Sequence, residues 1–443
     1  MRRRQFLKSA AAGTAGLGAQ TAPASRPPNI VFVLADQWRA QTLPSSGDRD
    51  LNAPNLARLA NEGVHFDRVY ASYPVCTPSR ASLITGRFPH ACGMPRNNLL
   101  LPADQPSIAA QLRGAGYATG YIGKWHLDGE EKPGFVPPGP RRRGFDYWAA
   151  FNRGHDYYRS TYFRDESTPI LAEGFEPDYQ TSLAQDFIRR QKQNPFYLFL
   201  SWGPPHTPRR PPKDLYDPAQ FRLRPNVPAS YEAEARKGHA GYYGLCTALD
   251  TALGRLLKTL DEEQLTRNTI VVFTSEHGDM LGSHGLEYKN VAFEESARVP
   301  LLIRYPGALE PGARSDMLIS NIDLMPTLLS LCGAQVPSEV QGRDLSALLR
   351  TGKGARPESI FAEGQMGGEG EWRMVVRGFD KLVVNRAGEI THLFNLGEDP
   401  YEQSNLVNSR AHRRAKDELL ALLRDWQRRT QDGRTGSGLR TRG

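Results

Sequence analysis

Short runs of apolar residues recur along the chain, and the stretches between them repeat their apolar residues every three to four positions. The short runs are rich in Val, Ile and Phe, which predicts buried β-strands, and the longer period predicts amphipathic helices. The predicted strands are 29–35, 118–122, 196–200, 269–274 and 300–304, and the predicted helices are 53–62, 108–113, 180–191, 242–260 and 322–331. This alternation predicts an α/β domain with a mainly parallel sheet.

The remaining segments predict two long loops and a second, smaller unit. Residues 127–175 are rich in Gly, Pro, Arg and aromatic residues, and residues 203–230 are rich in Pro. The composition changes near 352–358, and beyond it lie three strand-like pieces and one amphipathic helix. The pieces are 373–376, 381–384 and 391–394, and the apolar face of the helix is Ala415, Leu419, Leu422, Leu423 and Trp426. We therefore expect a catalytic domain over 26–352, a small α+β subdomain over 353–432 and a disordered tail over 433–443.

The first 25 residues resemble a targeting segment. Arg3 and Arg4 form a twin-arginine pattern, an Ala- and Gly-rich run follows over 9–19, and small residues at 22–24 offer a cleavage site. This pattern predicts a twin-arginine signal peptide over 1–25 and export to the periplasm or the medium by the twin-arginine machinery. A basic, disordered tail is the alternative. No other apolar segment is long enough to span a bilayer, so we expect no integral membrane segment in the mature chain.

Charge and cysteine content exclude several classes of protein. The 443 residues carry a net charge of +8, but residues 1–26 contribute +5 and residues 410–443 contribute +6, which leaves −3 for the middle of the chain. Such a body lacks the basic face of a nucleic-acid-binding protein. The four cysteines fit neither a disulfide framework nor a zinc-binding spacing. Cys246 and Cys332 lie in apolar surroundings and are expected to be inert.

Polar side chains follow four of the predicted strands at the point where each strand ends. They are Asp36 and Gln37, then Lys124 and His126, then His206, and finally Glu276, His277 and Asp279. Each alone has an ordinary structural explanation, such as a helix cap or a solvated turn. Because the carboxyl ends of parallel strands share one edge of a sheet, we expect them to converge. Oxygen and imidazole ligands predict a hard divalent cation, Ca²⁺ first and Mg²⁺ second. A cation beside lysines indicates phosphate- or sulfate-ester chemistry.

Cys76 differs from the other cysteines because a helix is predicted directly after it. Pro78 suits the first helical position, and the free N–H groups of a helix start favour an anion. A thiol placed there has a lowered pKa and is reactive. The alternative is a small buried residue at a turn.

These motifs together resemble the type I sulfatases, which use formylglycine. The stretch Cys76-Thr77-Pro78-Ser79-Arg80, with Leu83 and Thr85-Gly86-Arg87 after it, matches the signature of that family. Further segments resemble the family in the same order along the chain, namely 29–37, 123–126, 205–208, 274–282, Lys289 with 294–300, and 392–406. The resemblance covers roughly residues 28–410. It implies an alkaline-phosphatase-like fold, a large mixed and mainly parallel sheet sandwiched by helices, with the small C-terminal α+β subdomain.

The resemblance also implies a role for each matching residue. Cys76 would be oxidised by a formylglycine-generating enzyme, and the aldehyde would be hydrated. Asp36, Gln37, Glu276 and His277 would hold Ca²⁺ together with residue 76. Arg80 and Lys124 would hold the diol oxygens, one of which attacks sulfur. Lys289 and His206 would bind the sulfate oxygens and help to protonate the leaving group, and His126 would take the proton that lets sulfate depart.

Two departures from the family pattern keep alternatives open. Gln37 replaces an Asp found in many members, and Glu276 replaces the usual Asp, with Asp279 as a second choice of ligand. One alternative is a phosphate or phosphonate monoester hydrolase on the same scaffold, and another is an inactive protein that binds sulfated glycans. The substrate is expected to be a sulfated carbohydrate or an aryl sulfate. His155, with Arg96, Arg153 and Tyr157, is a candidate for holding it, although each is also explained as a surface or structural residue.

Overall fold

The computed structural model describes residues 26–433, so the predicted signal peptide (1–25) and residues 434–443 of the predicted tail lie outside the described part. The strands are β1 Asn29–Asp36, β2 Val64–Tyr70, β3 Ala118–Lys124, β4 Tyr147–Phe151, β5 Thr161–Tyr162, β6 Ile170–Leu171, β7 Phe196–Pro205, β8 Thr269–Ser275, β9 Arg298–Val299, β10 Leu301–Arg304, β11 Ala313–Ser320, β12 Ser359–Gly364, β13 Trp372–Arg377, β14 Asp380–Asn385 and β15 Ile390–Asn395. The helices are α1 Pro54–Glu62, α2 Cys76–Thr85, α3 Ile108–Gly114, α4 Glu176–Gln191, α5 Glu232–Glu262, α6 Glu294–Ala297, α7 Leu324–Leu331, α8 Ser346–Thr351 and α9 Arg413–Thr430.

A large sheet with the strand order β11-β2-β10-β8-β1-β7-β3-β4 forms the centre of the molecule. Its strands run parallel except β10, and the short β9 also pairs antiparallel with β2. Alternate residues of β1 enter two different cores, because side chains alternate across a strand. Ile30 packs with α2, α3 and α7 on one face, and Val31 packs with α1, α4 and α5 on the other. The predicted sheet between two layers of helices is confirmed.

The five strands predicted for this sheet are all present, but four further strands, including the two-residue β9, were not predicted. Strand β2 was not predicted because His65, Asp67 and Arg68 interrupt its apolar residues. Strand β4 lies within 127–175, where Gly, Pro and Arg obscure a five-residue strand. Strand β11 has alternating exposed residues in its first half and is buried only towards its end. Edge strands and strands with one polar face carry a weak sequence signal because only part of each is buried.

The C-terminal part is an antiparallel sheet, β12-β13-β14-β15, covered by α9. Three of its strands match the predicted pieces, and β12 is additional. One face packs against Leu419, Leu423 and Trp426 of α9. The other face packs against the main domain through Tyr70, Ala297 and Leu318 and the strand residues that meet them. The sheet is therefore fixed to the main domain through a shared apolar core. Between residues 26 and 433, none of the helices combines the length and apolar character that crossing a bilayer requires.

Replacing Trp426 tests how strongly α9 holds this sheet. The Trp426 ring stacks on Phe361 with a centroid distance of 5.2 Å and meets Phe88 edge-on at 5.1 Å. Trp426→Ala should lower the free energy of unfolding by about 3–5 kcal/mol, because it leaves a cavity between the sheet and α9. Urea unfolding followed by fluorescence measures the change. Leu422→Ala, at a half-buried position of the same helix, should cost clearly less, and equal losses would contradict the packing described here.

Candidate active site

Four adjacent strands deliver polar groups to one edge of the main sheet. Asp36 is the last residue of β1, Lys124 is the last of β3, His206 follows β7, and Glu276 follows β8. These four strands are neighbours in the order β8-β1-β7-β3 and run in the same direction. The convergence predicted from the sequence is therefore present, because the ends of the strands meet at this edge.

A buried cluster of potential ligands lies at this edge. One ligand atom from each of Asp36, Cys76, Glu276 and His277 lies within 4.8 Å of the others, and all four residues are buried. His277 Nε2 is 3.3 Å from Cys76 Sγ, 3.2 Å from Glu276 Oε1 and 3.6 Å from Asp36 Oδ1. A contact of 3.0 Å between His277 Nδ1 and the Gly278 carbonyl oxygen fixes the direction of the ring.

The oxygens of this cluster fit a hard cation. Asp36 Oδ1 and Glu276 Oε1 are buried and accept no hydrogen bond within residues 26–433, while Glu276 Oε2 forms an ion pair with Arg80. Leaving a charged oxygen buried and unpaired costs free energy, and a divalent cation with oxygen ligands removes that cost. The longer Glu276 side chain thus still brings a carboxylate into the cluster. This cluster could hold Ca²⁺ or Mg²⁺, as the sequence predicts.

Two buried cations face the two acids. Lys124 Nζ donates a hydrogen bond of 2.6 Å to Asp36 Oδ2. Arg80 Nε pairs with Glu276 Oε2, while its Nη1 donates to the Lys124 carbonyl oxygen at 2.6 Å and to Ser201 Oγ at 2.8 Å. Burial raises the pKa of the Asp36 carboxyl, but Lys124 and the other groups around the carboxylate together outweigh burial and hold the pKa well below its usual value. Asp36 is therefore ionised, as a metal ligand must be.

Helix α2 carries Cys76 into the site and is held rigidly there. The helix begins at Cys76 itself, two residues before Pro78, so the sequence placed its start slightly too late. All ten residues of α2 are buried. Ser79 Oγ donates to the Glu276 carbonyl oxygen at 2.5 Å and accepts from Asn321 at 3.0 Å. The cysteine position is therefore fixed relative to the acids of the cluster.

His126 has one nitrogen engaged and one free. Its Nε2 donates to Asn98 Oδ1 at 2.8 Å, and Arg153 Nη1 donates to the same oxygen at 3.0 Å. His126 Nδ1 is buried and has no hydrogen-bond partner within residues 26–433. Burial lowers the pKa of the imidazole, and Lys124 and Arg80 lower it further, well below its usual value. His126 is therefore neutral and presents an acceptor nitrogen.

Lys289, His206 and Gln37 form a second polar group at the site. Lys289 Nζ donates to His206 Nε2 at 2.7 Å and to Gln37 Oε1 at 2.5 Å. Gln37 Nε2 donates to Asp279 Oδ2 at 2.5 Å, and Asp279 also accepts from Arg209. Gln37 Oε1 thus faces the ammonium of Lys289, and its ligation of a cation stays a prediction. Asp279 lies outside the four-residue cluster and orients Gln37.

The remaining candidates differ in their distance from this centre. The His155 ring stacks on His206 with a centroid distance of 3.8 Å, and Lys124 Nζ lies 3.5 Å from its Nε2. Tyr157 donates to the carbonyl oxygens of Gly203 and His206, which is a structural role. Arg96 is exposed and forms no ion pair within the part of the chain that the structure describes.

Sequence reasoning missed two groups that orient the site. Asn98 joins His126 to Arg153, and Arg209 holds Asp279 against Gln37. Both lie in loops, and their own sequence surroundings give no signal of this role. Asn98 has a φ of 64°, a left-handed conformation that Asn tolerates better than most residues. That conformation becomes visible only in the structure.

The fold and this site together define a hydrolase with an alkaline-phosphatase-like fold. A profile of the sulfatase family matches residues 28–334, and a profile of the C-terminal part of N-sulphoglucosamine sulphohydrolase matches residues 282–429. The chain belongs to the sulfatase family and is a sulfuric ester hydrolase.

Individual relatives support this assignment. An ulvan-active sulfatase of Formosa agariphila is 37% identical over 411 residues, which are 89% of this chain and 80% of that protein. A solved structure in complex with its substrate D-glucosamine-2-N,6-O-disulfate is 25% identical, with a TM-score of 0.81 over 93% of this chain and 99% of that one. A phosphonate monoester hydrolase of Agrobacterium radiobacter shares the fold at 23% identity, with a TM-score of 0.74 over 90% of this chain and 96% of that one.

The acid cluster should make the protein more stable when Ca²⁺ is added. A ligand that binds only the folded state stabilises it by about 2.7 kcal/mol at a hundredfold excess over its Kd. We expect Ca²⁺ to raise the Tm of the wild type by several degrees in calorimetry and to have little effect on Glu276→Gln. Asp250→Asn alters a buried acid that caps α1 and should keep the full rise. An undiminished rise in Glu276→Gln would contradict this cluster as the cation site.

Glu176 makes stability fall as the pH rises. It is buried at the start of α4, accepts from Ser160 and from Gln180, and burial raises its pKa to about 7. Between the pKa of Glu176 in the unfolded chain and about 7, the folded state binds the Glu176 proton more tightly than the unfolded state does. The contribution of Glu176 to the free energy of unfolding is therefore fully present at low pH. It is lost as the pH rises through about 7. Glu176→Gln should remove about 1–3 kcal/mol of the wild-type decline between pH 5 and 8. Urea midpoints across that range measure it, and parallel curves for the two proteins would contradict the assignment.

Proposed function

We propose that the protein is an exported sulfatase that hydrolyses a sulfate monoester on a carbohydrate, with Cys76 converted to formylglycine beside a Ca²⁺ ion. The observation that carries this proposal is the buried cluster around Cys76, in which Asp36 Oδ1 and Glu276 Oε1 accept no hydrogen bond from the described residues. Lys124 and Arg80 pair with the other oxygens of these two acids. Mg²⁺ is the second choice of ion. Maturation would depend on a formylglycine-generating enzyme.

The chain contributes binding, orientation and proton transfer to this reaction. Hydrated formylglycine would supply the attacking oxygen, and the cation would stabilise its negative charge. Asp36, Glu276 and His277 would hold the ion, and Gln37 is a further candidate ligand. Lys124 and Arg80 lie beside position 76, where their charges favour an anionic oxygen.

Lys289, His206 and His126 are assigned to the sulfate and to the proton transfers. Lys289 and His206, 2.7 Å apart, would bind sulfate oxygens, and this pair can pass a proton to the departing oxygen. Burial lowers the pKa of His206 to about 3, so His206 is neutral and its Nε2 accepts the hydrogen bond from Lys289. His126 Nδ1, which has a free lone pair, would accept the proton when sulfate leaves residue 76.

The carbohydrate substrate is supported by the relatives. One relative is an ulvan-active sulfatase, and one solved structure contains the substrate D-glucosamine-2-N,6-O-disulfate, so both are associated with a saccharide. His155 stacks on His206 and would contact the sugar that carries the sulfate. An aryl sulfate remains a useful test substrate because it presents the same ester without sugar contacts.

Export to the periplasm or the medium is part of the proposal and rests on the twin-arginine pattern of residues 1–25. Changing Arg3 and Arg4 to Lys should retain the protein in the cytoplasm. Fractionation of cells with an antibody to the folded domain tests this, and unchanged export would remove this part of the proposal.

Cys76 provides the direct test of the chemistry. Protein made together with a maturing enzyme should show the Cys76 peptide with an aldehyde in place of the thiol by mass spectrometry. Cys76→Ala should lower kcat on an aryl sulfate by at least about 10³-fold, because the attacking group is lost. Cys246→Ala is the matched control and should keep its activity, because Cys246 is buried in the core between the main sheet and α5.

The same preparation separates the two alternatives. The wild type should cleave the aryl sulfate with a higher kcat/KM than a phosphate monoester or a phosphonate monoester. A preference for phosphonate would favour the phosphonate hydrolase. An unmodified thiol with no turnover, in protein made with the maturing enzyme, would favour the glycan-binding protein.

A further inference from the structure

A small cavity lies beside the proposed sulfate site and has no role in the chemistry described above. Its volume is about 170 Å³, below the roughly 300–1,000 Å³ of pockets that enclose a whole small molecule. The charged and titratable side chains that line it are Lys132, Arg153, His155, Asp156, Arg159 and Glu176. Its size suits one substituent of a sugar rather than a second sugar ring.

Two residues that line this cavity contact the proposed catalytic residues, either directly or through one further side chain. His155 stacks on His206 and lies 3.5 Å from Lys124 Nζ. Arg153 shares the Asn98 oxygen with His126. The cavity is therefore separated from His206 by His155 alone, and from His126 by Arg153 and Asn98. A group bound there would belong to the same sugar unit as the sulfate ester, or to its immediate neighbour.

The cavity has more positive than negative charge available for a ligand. Within residues 26–433, Lys132 and Arg159 form no ion pair and their side chains donate no hydrogen bond, while Arg153 bonds only to the Glu130 carbonyl oxygen and to Asn98. Asp156 is an exposed acid whose Oδ1 already accepts the backbone N–H groups of residues 158 and 159.

Glu176, the second acid, contributes less negative charge than its type suggests. Its oxygens already accept hydrogen bonds from Ser160 and Gln180, and burial raises its pKa to about 7. Three cations without acidic partners thus face one solvated acid and one partly protonated acid. An anion in the cavity would complete this arrangement, since guanidinium groups bind carboxylates and sulfates through paired hydrogen bonds.

We propose that this cavity is an anion subsite, and that the preferred substrate carries a second anionic group, a carboxylate or another sulfate, next to the scissile sulfate ester. This inference rests on the proposed sulfatase function and deepens it. The substrate class is then an acidic saccharide that bears at least two negative charges, rather than a neutral sugar with a single sulfate.

Paired substrates test this proposal with variants that leave the catalytic residues intact. The substrates are sulfated disaccharides containing a uronate, the same disaccharides with the carboxyl reduced to an alcohol, disaccharides with two sulfates, and an aryl sulfate. Each is assayed for sulfate release with the wild type, with Lys132→Ala/Arg159→Ala, with Arg159→Lys, and with Arg424→Ala. Arg424 is an exposed arginine on α9, far along the chain from the cavity, and serves as the matched control.

The wild type should favour one of the dianionic substrates over its singly charged counterpart by about tenfold or more in kcat/KM. The double variant should lose this preference mainly through KM, because the contact is the same in ground and transition states. Arg159→Lys should restore part of it, and Arg424→Ala should retain all of it. Turnover of the aryl sulfate should stay within about twofold in every variant.

The outcomes distinguish this inference from the proposed function. Loss of the preference for the uronate identifies a carboxylate subsite, and loss of the preference for the second sulfate identifies a sulfate subsite. Equal kcat/KM for dianionic and singly charged substrates, with the aryl sulfate cleaved normally, overturns the anion subsite and leaves the sulfatase intact. A preference that survives in the double variant also overturns it. Absence of sulfate release from every substrate by matured protein overturns the proposed function itself.

Discussion

Two buried carboxylates, Asp36 and Glu276, meet two buried cations, Lys124 and Arg80, around the side chain at position 76. Burying four charges is costly, and the cost is tolerable only when every charge has a partner in good geometry. Lys124 donates to one oxygen of Asp36 and Arg80 pairs with one oxygen of Glu276, but within residues 26–433 the other oxygen of each acid accepts no hydrogen bond. The site is thus nearly neutral yet incomplete in its contacts, which is the state expected of a preformed cation site.

The scaffold explains why this arrangement can be held so rigidly. The acids and Lys124 stand at the ends of neighbouring central strands, while Arg80 and residue 76 come from a helix that is buried on all sides. Gly123, one residue before Lys124, has a φ of 105°, and a Cβ there would lie 2.0 Å from the Ser201 carbonyl oxygen. Only glycine permits β3 to approach β7 so closely. The position of Lys124 therefore depends on backbone packing as well as on its ion pair.

The sequence predicted the elements that are buried and the residues that end them. The strand at 29–35 and the acid after it are adjacent in the chain, so their relation in space follows from the geometry of parallel sheets. The contacts of Asn98 with His126 and of Asp279 with Gln37 join segments 28 and 242 positions apart. Such pairings depend on loop conformations, including the left-handed backbone of Asn98, that local patterns do not encode. Strand β2 was missed for a related reason, since its polar residues face partners that only the folded sheet supplies.

Crystallography with Ca²⁺ tests the central claim most directly. Anomalous diffraction from crystals of matured protein grown with Ca²⁺ would locate the ion. The account predicts one cation peak in the cluster, about 2.3–2.6 Å from carboxylate oxygens of both Asp36 and Glu276, with residue 76 facing it. A cluster without a peak at saturating Ca²⁺, or an ion bound elsewhere with Glu276 turned away, would contradict it.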